Sequence, residues 1–292
     1  LHRMSTLRFE VETISPMFLR GADGETPELR PPSFKGMLRY WWRAAKVLPV
    51  PDLHALGSRV FGGASGNDGQ RSTVTIRLHH DGLTSGSHQP VPHRHFRLQA
   101  FDAGQRFEII LQRMPHCPVP LSEIRNAMVV ALQLGGVGFR SRRGFGSLRI
   151  ISINGEAHRV PDDPLKPVAE ALRSLNDNFV YEDGEYETIR YEGTTKPPYP
   201  WIRAARRGID TLWDVDPILY DISDATHIWN SPYTGSPKNP RFASPEYATV
   251  QSDGQDYWSV VTSLHVPPQT DRLLGNNDTR FDFREDVLWI EE

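Results

Sequence analysis

The sequence predicts an α+β protein. Three observations carry that reading: runs with an apolar residue at every second position, longer runs with helical spacing between them, and glycine- or proline-rich breaks at the junctions. "LRFEVETIS" sets Leu7, Phe9 and Val11 on one face, with Ile14 just past the regular phase, and reads as a strand. Beyond a Gly/Pro-rich loop, Ser33 is the expected N-cap of a helix from Phe34 to Leu48, which Pro49 and Pro51 stop. "STVTIRLHH" is a second strand, with Val74, Ile76 and Leu78 alternating, and "RFEIILQRM" is a third. "LSEIRNAMVVALQLGG" is a second helix ended by Gly135 and Gly136, and "GFGSLRIISING" is a fourth strand. The first half therefore follows the split βαβ, ferredoxin-like order.

The second half gives fewer signals. A helix is expected from Leu165 to Leu175 and a strand from Tyr257 to Val266. Residues 176–200 read as an acidic, Tyr-rich loop. Residues 196–245 hold 8 of the 24 prolines and read as extended and irregular. The stretch "GEAHRVPDDP" is the expected linker, dividing the 292 residues into units at 1–158 and 159–292.

Cys117 is the one cysteine, which excludes an internal disulfide framework and a Cys-rich zinc site. With no long apolar window and no signal-peptide pattern, a soluble cytoplasmic protein with no membrane partner is expected. The net charge of −3 conceals a strong asymmetry. Residues 30–149 hold 17 Lys or Arg against 6 Asp or Glu, a net of +11, whereas residues 150–292 hold 13 against 25, a net of −12. The basic half implies a polyanionic partner. The acidic half reads as a solvated surface or as a face for a basic neighbouring subunit.

Two segments concentrate the positive charge. From Leu29 to Pro51 there are five cations, Arg30, Lys35, Arg39, Arg43 and Lys46, and no acid. On a helical wheel Phe34, Met37, Leu38, Trp41, Ala45 and Leu48 share a core sector. Lys35, Arg39, Trp42, Arg43 and Lys46 fall in the adjacent one. Trp41 is thus expected in the core and Trp42 among the cations, as a platform on which an unstacked RNA base lies. The bland alternative has Trp42 packed on a loop while basic stems cover apolar surface. In "LGGVGFRSRRGFGSL", Gly135, Gly136, Gly138, Gly144 and Gly146 let backbone N–H groups approach a ligand, and Arg140, Arg142 and Arg143 supply charge. A phosphate-backbone contact is expected there. A nucleotide P-loop is excluded, because the segment lacks the Gly-Lys-Ser/Thr ending and precedes a strand.

Together "TPELRPPSFKGMLRYWWRA", "RVFGG" and "GGVGFRSRRGFGSL" resemble the RAMP superfamily of CRISPR ribonucleoproteins, more narrowly the family of the first-numbered Cmr subunit of type III-B effector complexes. "RFASP", Arg241 to Pro245, resembles a further short motif of that family. The resemblance covers chiefly the first 150 residues. It implies two tandem ferredoxin-like, RRM-related domains, the second one acidic, and a place near the 3′ end of the guide RNA. It also implies contacts to guide RNA or single-stranded target RNA and to other Cmr subunits, with no cofactor. Carried onto this sequence, Lys35, Arg39, Trp42 and Arg43, the loop from Gly135 to Gly144, and Arg241 are the expected contacts.

Some RAMP relatives are ribonucleases with a histidine near the first helix. Here no histidine lies between His2 and His54. His79, His80, His88, His93 and His95 form a loose group without metal-ligand spacing, read as strand and loop residues. A non-catalytic RNA-binding subunit is therefore the expected function. The alternatives are a metal-independent ribonuclease that processes guide RNA and a free-standing RRM-like module.

Overall fold

Strand β1 (Ser5–Thr13) is central to the first sheet, because Leu7, Phe9 and Val11 are buried on one face and both of its edges are paired. The computed structural model describes residues 5–63, 69–92, 94–235, 243–265 and 278–289. Antiparallel to β1 lie β5 (Arg106–Arg113) and β6 (Leu148–Ile153). Beyond them come β2 (Val74–His79) on the β5 side and the short β7 (Glu156–Ala157) on the β6 side. Helices α1 (Pro31–Lys46) and α3 (Leu121–Leu134) follow β1 and β5 and pack on each other. The spatial order β2–β5–β1–β6 is the ferredoxin-like arrangement. A separate pair, β3 (Ser85–His88) and β4 (Leu98–Phe101), stands outside the sheet.

The second sheet runs β11 (Glu246–Ser252), β12 (Tyr257–Leu264), β10 (Ile202–Arg207), β9 (Glu187–Tyr191), β8 (Phe179–Asp183), with every pairing antiparallel. It is flanked by α4 (Lys166–Leu175), α5 (Asp216–Ile228) and α6 (Arg280–Leu288). In sequence, β10, α5, β11, β12 and α6 repeat the progression β1, α1, β2, β5, α3. The place that β6 takes beside β1 is taken beside β10 by β9, a strand that precedes it.

Several boundaries differ from the sequence reading. Helix α1 begins at Pro31 with Arg30 as N-cap, so Ser33 lies inside the first turn. Proline suits that position, since its fixed φ is helical and its missing N–H would have no partner there. Pro49 does not simply stop α1: it caps a further helix, α2 (Val50–Phe61), with Pro51 in its first turn. The stretch 176–200 holds β8 and β9 rather than a loop, and 196–245 holds β10 and α5. Strand β11 and helix α6 also carry no clear periodic signal. Among the described residues no helix is long and apolar enough to cross a membrane.

One apolar cluster extends from Leu7 to Leu264, so the two sheets share a core. Polar side chains of the second half also complete the helices of the first. Asn176 Nδ2 donates to Lys46 O at 2.9 Å, and Tyr199 Oη donates to Leu48 O at 2.7 Å. Gln251 Nε2 donates to Leu132 O and Gln133 O at 3.2 and 2.9 Å. The Lys46, Leu132 and Gln133 carbonyls lie in the last turns of α1 and α3, where the helix itself supplies no donor, and Leu48 lies just past the α1 C-cap.

Glu12 on β1 accepts from Arg149 of β6 and Arg106 of β5, each at 2.7 Å. Burial raises its pKa, but the two arginines outweigh burial and hold it below the usual carboxylate value. A carboxylate depressed in the folded state contributes stability above its unfolded pKa and loses it as pH falls through the folded one. Glu12→Gln is therefore expected to lower stability at pH 7, with the gap from the parent closing below roughly pH 4. Urea midpoints measured across that range check it.

Candidate nucleic-acid interface

Helix α1 presents a basic stripe that is narrower than its sequence suggests. Arg39 and Arg43 are exposed and Lys35 is half-buried, and none of the three forms an ion pair with a described residue. Burial, followed by the adjacent Arg39, pushes the Lys35 ammonium below its usual pKa. Arg43 lies over the Tyr199 ring, 5.7 Å from its centroid. Lys46 departs from the stripe: it pairs at 3.4 Å with Glu123 of α3, and its side chain is mostly covered.

Trp42 is not a platform. It is 0% exposed, its indole N–H donates to Glu123 Oε1 at 2.8 Å, and its ring meets Phe61 edge-on at 5.3 Å. Helix α2 supplies Phe61, so the element that the sequence reading lacked is the one that covers Trp42. Trp41 is buried as expected, against Tyr40 and Tyr247.

The glycine–arginine loop joins α3 to β6 and faces protein over much of its length. A Cβ on Gly135 would lie 2.2 Å from the Trp41 indole nitrogen, and one on Gly136 would lie 3.0 Å from Phe145 O. Gly138 sits against the Phe18 carbonyl. Gly144 and Gly146 have φ of +82° and +66°, the left-handed region that glycine adopts without strain. The N–H groups of Val137, Phe139, Gly144 and Gly146 donate to Gly146 O, Phe18 O, Ala248 O and Pro16 O at 2.8–3.1 Å. Part of the expected cradle of free amides is thus a seam, because these four donors are already used by the protein's own carbonyls.

The three loop arginines separate by role. Arg143 is 6% exposed and donates to Arg142 O and Glu246 O at 2.8 and 2.9 Å and to Thr234 O. Burial, with Arg140 and Arg142 beside it, pushes its guanidinium down to about 9. It is a clip between the two halves and not a phosphate ligand. Arg142 donates to Ser244 O and lies over the Tyr247 and Tyr40 rings, at 4.8 and 5.7 Å. Arg140 donates to Pro90 O at 3.1 Å, and burial followed by Arg94 lowers its pKa.

Arg140 and Arg142 line an open groove with Arg94, His227, Phe96 and Phe139. The two phenylalanines are 45% and 49% exposed, among the most exposed large apolar side chains described. Tyr40 and Arg142 connect this groove to the α1 stripe. Sequence analysis missed both aromatics. The available signal was Phe139 between Gly138 and Arg140, an aromatic in a charged turn where no periodic core face claims it. Arg241 lies outside the described residues.

The described histidines of the 79–95 group do not converge. His79 lies 3.8 Å from Asp81, His80 accepts from the Gly82 N–H, and His88 meets Asp102 at 2.7 Å. His93 lies outside the described residues and His95 is exposed. No group of three His, Cys, Asp or Glu among the described residues is placed to hold a metal.

Burial of Trp42 has a direct consequence. Trp42→Ala is expected to lower stability by about 3–5 kcal/mol, the usual range for emptying a buried aromatic site. Chemical unfolding of the variant measures it.

Residues 10–149 match the RAMP superfamily. The chain is 27% identical over 180 residues to the CRISPR system Cmr subunit Cmr1-2 of Pyrococcus furiosus, spanning 49% of this chain and 93% of that protein. It is 29% identical over 168 residues to Cmr1-1 of the same organism, spanning 51% of this chain but only 48% of that protein. In three dimensions it superposes on the crystal structure of apo Cmr1 from Pyrococcus furiosus with a TM-score of 0.61 and 19% identity, covering 97% and 96% of the two chains. It also superposes on a chain from the type III-B Cmr-beta complex bound to cognate target RNA, with a TM-score of 0.52, 10% identity and coverage of 92% and 98%. The chain is thus similar to the RAMP superfamily through residues 10–149, and to Cmr1 subunits over about half of its length.

Proposed function

We propose that this chain is a non-catalytic RNA-binding subunit of a type III-B Cmr effector complex, made of two units at 1–158 and 159–292. One observation carries the RNA contact: Lys35, Arg39 and Arg43 stand on one helix face without a described carboxylate to pair with. Such a row gains little from the protein itself and much from phosphates, which release counterions when they are neutralised. The groove beside it adds what a single strand requires, exposed aromatic faces at Phe139 and Phe96 among arginines. In this reading the strand's backbone follows the α1 stripe, and bases turn toward Phe139. The names of the relatives support assembly with other Cmr subunits, and the target RNA in the Cmr-beta complex supports guide or target RNA as the ligand. A place near the guide's 3′ end rests on the family resemblance.

Replacing Lys35, Arg39 and Arg43 together with Ala is expected to weaken single-stranded RNA binding. The salt dependence should flatten by up to roughly 0.7 per lost phosphate contact, or about 2 in all. An unchanged slope would remove the stripe from the interface. Phe139→Ala should weaken binding by about 1–3 kcal/mol, with the melting temperature nearly unchanged. A ribonuclease would instead cleave labelled repeat RNA at discrete sites in EDTA, with loss of cleavage on mutating the exposed His54.

A further inference from the structure

A second cationic site lies where the composition points the other way. Residues 150–292 carry a net charge of −12. Yet one cleft on the second sheet gathers six cations, Arg190, Lys196, Arg203, Arg206, Arg280 and Arg284, against three carboxylates, Glu192, Glu246 and Asp278. It shares no lining residue with the groove beside the glycine loop.

Strand register places these residues together. Arg190 on β9 is opposite Ala204 on β10, Ala204 is opposite Ser263 on β12, and Ser263 is opposite Glu246 on β11. This row has two small side chains at its centre, which leaves a trough, and α6 closes one side with Arg284 and Phe281. Two of the acids are already held by protein groups. Glu246 is buried and takes Arg284 at 3.4 Å and Ser263 Oγ at 2.7 Å. Asp278 accepts from Arg280 at 2.6 Å.

Lys196 and Arg203 remain exposed and form no ion pair with a described residue. Arg206 sits deeper, where burial followed by the like charges of Arg284 and Arg190 lowers its pKa. Trp201 also lines the cleft; it is 4% exposed, and its indole N–H has no acceptor among the described residues. Crowded cations beside an unsatisfied donor favour an oxyanion ligand.

We propose that this cleft is a second phosphate-binding site, with Lys196 and Arg203 as its outer ligands and the β10–α6 arginines as its inner wall. The phosphates come either from an RNA strand held by this chain or from a free nucleotide. The site stands apart from the α1 stripe, so it does not depend on the RNA reading of that stripe.

The test uses the full chain carrying Lys196→Glu and Arg203→Glu, with circular dichroism as a folding control. Lys166→Glu with Arg173→Glu, both exposed on α4, gives the same charge change elsewhere. One arm measures binding of a uridine 20-mer across a salt series. The other measures the rise in melting temperature on adding pyrophosphate or ATP. If RNA supplies the phosphates, the salt slope falls by about 1.4 in the cleft variant and stays near the parent's in the α4 control. If a free nucleotide supplies them, the thermal shift disappears in the cleft variant alone. The proposal is overturned if cleft and control variants behave alike in both arms. The α1 triple variant separates the two readings: a loss of RNA affinity there, with a silent cleft variant, leaves the stripe standing and removes the cleft.

Discussion

The glycine–arginine loop is bonded to β11, and the arrangement of the two halves depends on that seam. Gly144 N–H donates to Ala248 O while Ala248 N–H donates to Arg142 O, so a turn of the first half runs as a short parallel bridge beside a strand of the second. Arg143 reaches past it to the Glu246 and Thr234 carbonyls and lies over the Phe283 ring at 5.1 Å. A buried guanidinium is tolerable only when its donors are satisfied. The arginine therefore fixes both halves against it. Side chains at Gly144 would strike Leu219 of α5, and at Gly146 the Val137 carbonyl, so the same closeness accounts for glycine at these two positions.

Docking also decides which charges remain available. Lys46 is neutralised by Glu123, Arg143 is buried in the seam, and Arg142 is spread over two tyrosines. Lys35, Arg39 and Arg43 remain on the open side of α1. A row of like charges on a helix is mildly unfavourable by itself. It stands beside a groove with exposed Phe96 and Phe139, the surface we propose for the RNA strand. The second sheet repeats the theme in miniature, because cross-strand pairing aligns side chains that are far apart in sequence.

The first sheet was legible because β1 alternates strictly, β2 and β5 keep a period-two apolar face, and α1 and α3 carry wide apolar faces. The second was less so. Every residue of β11 is buried, so it shows no polar–apolar alternation, and α5 is interrupted by polar residues at sequence positions that read as irregular. Helix α2 was hidden by its prolines, which end one helix and begin the next within a few residues. That omission moved Trp42 from the core to the surface in the sequence reading, since nothing else was on hand to cover it.

By itself the sequence determined the α+β class, the ferredoxin-like order of the first half, the segregation of charge and the run of cations from Lys35 to Lys46, which the structure narrows to Lys35, Arg39 and Arg43. Each of these is written in local spacing or composition. The tertiary structure alone decided that Trp42 is covered, that Arg143 is a clip, that four loop amides are used by the protein's own carbonyls, and that Phe139 and six scattered cations face open clefts. Burial and hydrogen-bond satisfaction depend on which distant segments meet. A residue's period along the chain shows which neighbours share its face, but not what packs against that face.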